Sequence, residues 1–392
     1  MNLLSKKKIV VLGMMSKFPV AGEVWATIQY LVGFQRLGYD VYYVEAHAST
    51  PSMLMERAGD DSSANAANFI AQVMQRFDLS DRWAFHALHD NGRCFGMSEI
   101  QLMQLYRSAA LLINYHGGTM PLAEHTATRR LIYLETDPVQ LQVELWQRDP
   151  EAIAFLAAHS AFFTWALNYG KADCKVPLPE NFHFHLTLPP IVGDFWQPHT
   201  NGAHDTFTTI GNWRQPGAVK FKGEIYHWSK HHEFLKFLDL PRRTTQGFEL
   251  ALSSASYHDA DKRLIETNGW KIRDALEFSG DEDAYRDYIK GSRGEFTVAK
   301  DQNIRLRSGW FSERSAQYLA AGRPVITQDT GFGNVLPTGQ GLFAFSTMQE
   351  ILEAVESINS DYDKHCRAAS TLAREYFSYD VVLTKLLAEV GL

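Results

Sequence analysis

The sequence predicts an α/β protein built of two doubly wound domains in tandem, and three observations predict it. At 392 residues the chain exceeds what one compact core usually holds. It opens on a strand, a loop containing Pro19 and Gly22, a helix and a second strand, the order that begins a doubly wound sheet. After a stretch rich in proline, histidine and glycine, the same alternation starts again near Thr206.

Taken in order, residues 8–13 form a short apolar run of the kind buried in a parallel sheet. Residues 24–37 show helical periodicity and stop at Gly38, and residues 40–45 make the next strand. Strands follow at 110–115, 131–135 and 161–166, separated by helical stretches such as 99–107 and 139–146. Their loops, His116-Gly117-Gly118 and Thr136-Asp137-Pro138, open at the carboxyl edge of the sheet. Residues 175–203 carry no clear period and read as the inter-domain connection. The second domain then runs through strands at 206–211 and 248–252, a helix at 229–238, a stretch at 270–276 and a helix at 283–289. Helices at 348–358, 362–375 and 379–390 close the chain. The expected domains are therefore 1–200 and 201–375, with 376–392 a terminal helix.

Composition narrows the function. The net charge of -7 gives no general attraction to nucleic acid or to an anionic membrane. Cys94, Cys174 and Cys366 are too scattered for a zinc pattern and too few for a disulfide framework, which fits a reducing cytoplasm. The apolar run near the start is too short for a signal peptide, and the apolar segment at 152–167 is interrupted by His159 and Ser160, so no membrane span is expected.

Residues 308–333, SGWFSERSAQYLAAGRPVITQDTGFG, carry the strongest local signal. Ser312 is a good N-cap, Glu313 suits the positive end of a helix dipole, and Ala316, Leu319 and Ala320 follow at helical spacing. Gly322 and Pro324 stop that helix, and Val325-Ile326-Thr327 is a β-branched strand that empties into a glycine loop. Helix start and strand end then lie on one side of the sheet, facing a crevice that can hold an anion.

Arg314 followed by Gln317-Tyr318-Leu319-Ala320-Ala321-Gly322-Arg323-Pro324-Val325-Ile326 resembles the R-x-x-E-A-x-A-x-G-x-P-V-I signature of group 1 GT-B glycosyltransferases. The resemblance covers residues 308–387 and elsewhere rests on strand order. It implies two facing Rossmann-like domains with a deep cleft between them, a nucleotide-sugar donor held mainly by the second, and a last helix, 376–392, that crosses back to the first. It also implies donor contacts at Ser308, Gly309, Trp310, Phe311, Ser312, Arg314, Gln317, Gln328, Asp329, Thr330 and Gly331, and pyrophosphate contacts at Arg214 and Lys230, with Lys222 as a substitute. Two family glutamates fall here on Gln317 and Gly309, so Gln317 brings hydrogen bonds to a ribose diol without negative charge.

In the first domain Asp137, His116 and Glu135 are the candidate bases for an acceptor hydroxyl, against capping or plain loop roles. Pro19 and Gly22 allow either a ligand or a packing partner to approach the backbone. Asp281-Glu282-Asp283 reads as a helix cap rather than a metal motif, and the pairs His183/His185 and His231/His232 lack a third ligand.

The expectation is a monomeric or homodimeric glycosyltransferase that moves a sugar from a nucleotide-diphosphate donor, UDP by resemblance, to an unidentified acceptor, with no metal or other cofactor. A nucleotide-sugar epimerase on the same scaffold and a noncatalytic nucleotide- or sugar-binding protein are the rivals.

Overall fold

The computed structural model describes residues 6–46, 52–55, 57, 59–197 and 205–392. The expected boundary between residues 200 and 201 lies outside them.

Two sheets carry the chain. The first joins β1 (Lys8–Leu12), β2 (Asp40–Glu45), β3 (Trp83–His86), β4 (Cys94–Phe95), β5 (Ala109–Tyr115), β6 (Leu131–Glu135), β7 (Ala161–Thr164) and β8 (Phe184–Leu186). Their spatial order is β4-β3-β2-β1-β5-β6-β7-β8, parallel except for the β3–β4 pair. The second sheet joins β9 (Thr206–Gly211), β12 (Gly247–Leu252), β13 (Lys271–Asp274), β14 (Gly294–Thr297), β15 (Val325–Gln328) and β16 (Leu342–Phe345) in the order β13-β12-β9-β14-β15-β16. In both, the order reverses beside the first strand, which opens a crevice at the carboxyl ends of β1 and β5 and of β9 and β14. Apolar strands such as KIVVL in β1 and VITQ in β15 are buried along their length, as helix-covered parallel strands must be.

Three differences from the sequence reading have local causes. The segment read as a connection contains β8, three residues paired with β7 and too short to show a period. A hairpin of β10 (Ala218–Phe221) and β11 (Glu224–His227) precedes Lys230, turning at Lys222 and Gly223, both with positive φ. The helix expected at 362–375 ends at Leu372, passes through one π turn at Ala373–Phe377, and restarts at Tyr379.

The two halves meet over a continuous apolar cluster that includes Trp25, Tyr30 and Tyr115 from one and Tyr285, Phe311 and Ala316 from the other. Polar ties seal one flank: the Ala21 amide donates to the Ser279 carbonyl at 2.6 Å, the Trp25 indole N–H to the Glu282 carbonyl at 2.9 Å, and Arg76 pairs with Glu282 at 2.9 Å. The hairpin seals another, with Phe221 edge-on to Trp146 and the Gln147 amide donating to the Lys220 carbonyl at 2.8 Å. The terminal helix Tyr379–Glu389 packs on the helix Ala21–Arg36, where Gly33 leaves room for Leu383.

Candidate active site

The site grows from the loops at the two reversal points. Beyond β14 the chain continues Val298-Ala299-Lys300, and the Lys300 ammonium pairs with the Asp137 carboxylate from the loop after β6, tying one domain to the other. Lys300 also lies over the Trp228 ring at 3.7 Å. Burial pushes the Lys300 pKa down, and Asp137 opposes that shift.

Lys230 sits beside this pair, its ammonium 5.5 Å from the centre of the Trp310 ring. Among the described residues no carboxylate lies within ion-pair distance of it. Burial first, and then the neighbouring Arg314 charge, push its pKa down to about 7. A desolvated cation with no counter-ion, resting on an aromatic face between two domains, is a ready partner for an anion.

Arg314, the motif arginine, is differently placed from the phosphate role that the resemblance implied. Its guanidinium points into the protein, with Nε donating to Glu295 at 2.7 Å, Nη1 to the Ile210 carbonyl at 2.6 Å and Nη2 to Thr297 at 3.3 Å. Glu295 itself is fully buried on β14, so the pair is a structural ion pair under the crevice floor. Gln317 is also fully buried; its Oε1 accepts from the Tyr285 hydroxyl at 3.4 Å, while Nε2 finds no partner among the described residues. Ser312 caps the helix Glu313–Ala320, its Oγ accepting from the Arg314 amide at 3.2 Å.

The rest of the motif loop builds the seam. Ser308 donates to Asn303 at 2.8 Å, and Trp310 sends its indole N–H to the Thr136 carbonyl at 2.9 Å. Phe311 is buried against Phe332 and Phe377. Gly309 has φ +80, and a Cβ there would lie 2.2 Å from the Asn168 amide nitrogen. Gly309→Ala is therefore expected to lower stability by about 2–5 kcal/mol, read by thermal melting, because both strain and overlap must be relieved. A variant that melts with the wild type would contradict that close approach. At Gly331, φ +97, an added Cβ would likewise meet the Asn168 side chain, at 2.6 Å from Nδ2.

Other candidates are already engaged. Arg214 makes a bidentate pair with Asp261 at 2.9 and 2.6 Å. Gln328 donates to Glu233 at 2.8 Å, Asp329 pairs with Arg307 at 2.8 Å, and the Thr330 hydroxyl donates to the Trp310 carbonyl at 2.8 Å. Glu135 is closed in, accepting from Gln142 at 2.7 Å and Thr164 at 2.5 Å, and burial raises its pKa to about 7. Gly22 faces the Tyr285 hydroxyl, so the turn of Pro19 and Gly22 packs against the second domain. Lys222 occupies the hairpin turn over Phe221.

His116 does reach the seam. It has φ +61, its Nδ1 meets the Thr136 hydroxyl, and its Nε2 lies 3.1 Å from Glu23. Asp281 caps the helix Glu282–Lys290 and pairs with Arg76. Among the described residues no group of three or more His, Cys, Asp or Glu side chains is placed to hold a metal ion.

Lys300, Glu295, Glu23 and Thr136 escaped the sequence reading. Lys300 had a usable signal: in GEFTVAK a short strand-like run with Phe296, Val298 and Ala299 ends in a cation, as the strand after a reversal point does here.

No family model matches the chain, and no curated protein matches it. Solved structures do. An alpha-glucosyltransferase (AGT) in complex with UDP superposes with a TM-score of 0.60 at 10% identity, covering 99% of this chain and 100% of that one. HepE from Anabaena, in complex with UDP and glucose, gives 0.57 at 11% identity, covering 98% and 99%. Sucrose-phosphate synthase from Thermosynechococcus elongatus gives 0.54 at 10% identity, again covering 98% and 99%. The chain has the GT-B architecture that these glycosyltransferases share over their whole length. No helix among the described residues is long and apolar enough to cross a membrane.

Proposed function

We propose that the protein is a glycosyltransferase that takes a sugar from a UDP-sugar and passes it to an acceptor hydroxyl bound against the first domain. The observation that carries this reading is Lys230, a desolvated cation with no ion-pair partner among the described residues, on the Trp310 ring at the reversal point of the second sheet. Two of the similar structures hold UDP, and a diphosphate is the anion that such a crevice suits. Lys230 faces the diphosphate, with Lys300 beside it, so the leaving group's charge is offset without a required metal ion. Gln317, with an unpartnered amide N–H, lies near the ribose. His116 is the base, because Asp137 is held by Lys300 and Glu135 is closed in. The three cysteines are free thiols, which supports a cytoplasmic setting.

Calorimetric titration with UDP, ADP and GDP, followed by assay of UDP release from UDP-glucose, tests the reading. UDP is expected to bind most tightly, and UDP-glucose to be turned over slowly with water as acceptor. A folded protein that binds none of the three nucleotides overturns the donor site. Binding without turnover in the presence of an acceptor panel favours a noncatalytic role.

A further inference from the structure

Three side chains from separate segments converge beside the crevice: Glu23 in the first turn of the helix Ala21–Arg36, His116 after β5, and Thr136 after β6. We propose that they form a proton relay in which Thr136 Oγ1 takes the proton of the acceptor hydroxyl and passes its own to His116 Nδ1, while Glu23 positions and charge-balances the ring at Nε2. The proposal rests on the glycosyltransferase reading and assigns Thr136 and Glu23 roles within it.

The contacts favour one direction of transfer. Glu23 Oε1 and His116 Nε2 are 3.1 Å apart, an ion-pair contact without hydrogen-bond alignment, and neither atom has a hydrogen-bond partner among the described residues. A carboxylate beside Nε2 favours the proton on that nitrogen. In that tautomer Nδ1 carries the lone pair, and the Thr136 hydroxyl in contact with it is the donor. Carboxylate, imidazole and hydroxyl are thereby in series, the order that activates a hydroxyl oxygen toward further proton traffic.

The ring has little freedom to swing away. His116 is held in the left-handed backbone region, followed by Gly117 at φ +71, and its ring lies 3.6 Å from that of Tyr115, centre to centre. A non-glycine residue stays in that region only where its surroundings hold it there. Thr136 also stands at the right place. Its carbonyl accepts the indole N–H of Trp310, the ring that underlies Lys230, and the next residue, Asp137, holds Lys300. The hydroxyl at the end of the relay is thus one residue from Asp137, which holds one of the cations assigned to the donor diphosphate.

The step balances. The acceptor oxygen forms a bond to the anomeric carbon while the bond from that carbon to the diphosphate oxygen breaks, and UDP leaves with the electron pair beside Lys230. The acceptor proton moves to Thr136 Oγ1 as the threonine proton moves to Nδ1, leaving an imidazolium opposite Glu23.

The test compares Thr136→Val, Thr136→Ser and Glu23→Gln for UDP release from UDP-glucose and for UDP affinity by calorimetry. Thr136→Val keeps the shape and removes the relay oxygen; its rate is expected to fall about 100-fold, with UDP affinity unchanged within twofold. Thr136→Ser is expected to recover most of the rate, and Glu23→Gln to lose about tenfold. A Thr136→Val rate within threefold of wild type overturns the relay, and so does a parallel loss of UDP affinity, which marks a structural role. Nitrogen-15 NMR of the histidine ring supplies a readout that needs no turnover. The neutral His116 ring is expected as the Nε2–H tautomer in wild type, and an Nδ1–H tautomer overturns the relay even if the protein binds UDP and never turns over.

Discussion

Lys230→Met is expected to weaken UDP binding about 100-fold, a loss of roughly 2.7 kcal/mol, while the protein melts at or slightly above the wild-type temperature. Both halves follow from one environment. The ammonium is desolvated, has no carboxylate within ion-pair distance among the described residues and feels the nearby charges of Arg314 and Lys300, so its charge is disfavoured until an anion arrives. A thioether of similar length removes the anion's partner and also the burden of keeping a lysine there.

The same environment sets a pH dependence with a definite sign. Burial, then Arg314, depress the Lys230 pKa to about 7 in the free protein, and a docked diphosphate raises it. Binding therefore takes up a proton above about pH 7. Affinity is full below that point and falls as pH rises, by up to tenfold per unit, until the lysine titrates in the complex. For folding the sign is separate: a lysine whose folded pKa lies below its unfolded value of 10.5 opposes folding most at pH 7 and below, and that penalty fades between about 7 and 10.5. Calorimetry from pH 6 to 9 in buffers of different ionisation enthalpy counts the proton directly. Unchanged affinity and melting in Lys230→Met, or no proton uptake in wild type, removes Lys230 from the donor site.

The fold was legible where strands were apolar and helices had clear ends. LIYLE in β6 and TFTTIG in β9 match their expected bounds, since an uninterrupted apolar or β-branched run between turns leaves little choice. The hairpin of β10 and β11 was not legible: AVKF and EIYH are four residues each, shorter than a window that can show period two. The site was legible as a location and much less as a set of contacts. Sequence placed the motif loop, His116 and Asp137 at strand ends and Lys230 at the start of a helix, and the structure draws these to one seam through Trp310, Thr136 and Lys300. What the pattern cannot show is which cation already has a partner. Arg314 and Lys230 look alike in one dimension, and only the position of Glu295, nineteen residues before Arg314 on the adjacent strand, distinguishes them.

That distinction has the largest expected effect on stability. Arg314→Ala leaves the fully buried Glu295 carboxylate without its cation and strips the Ile210 carbonyl and the Thr297 hydroxyl of a donor. Removing one member of a buried pair typically costs about 3–5 kcal/mol, because an uncompensated charge stays behind. At about 2–4 °C per kcal/mol for a chain of this class, melting is expected to fall by roughly 6–20 °C. Replacing both members with apolar residues, Arg314→Met with Glu295→Leu, removes the buried charge along with its partner and is expected to recover most of that loss. The double variant also separates a structural arginine from a phosphate-binding one. If Arg314 acts beneath the crevice floor, the folded double variant still binds UDP within a few-fold of wild type. If the single Arg314→Ala variant instead melts normally and loses UDP, the guanidinium must leave Glu295 when the donor arrives. The phosphate role implied by the motif would then replace the structural one.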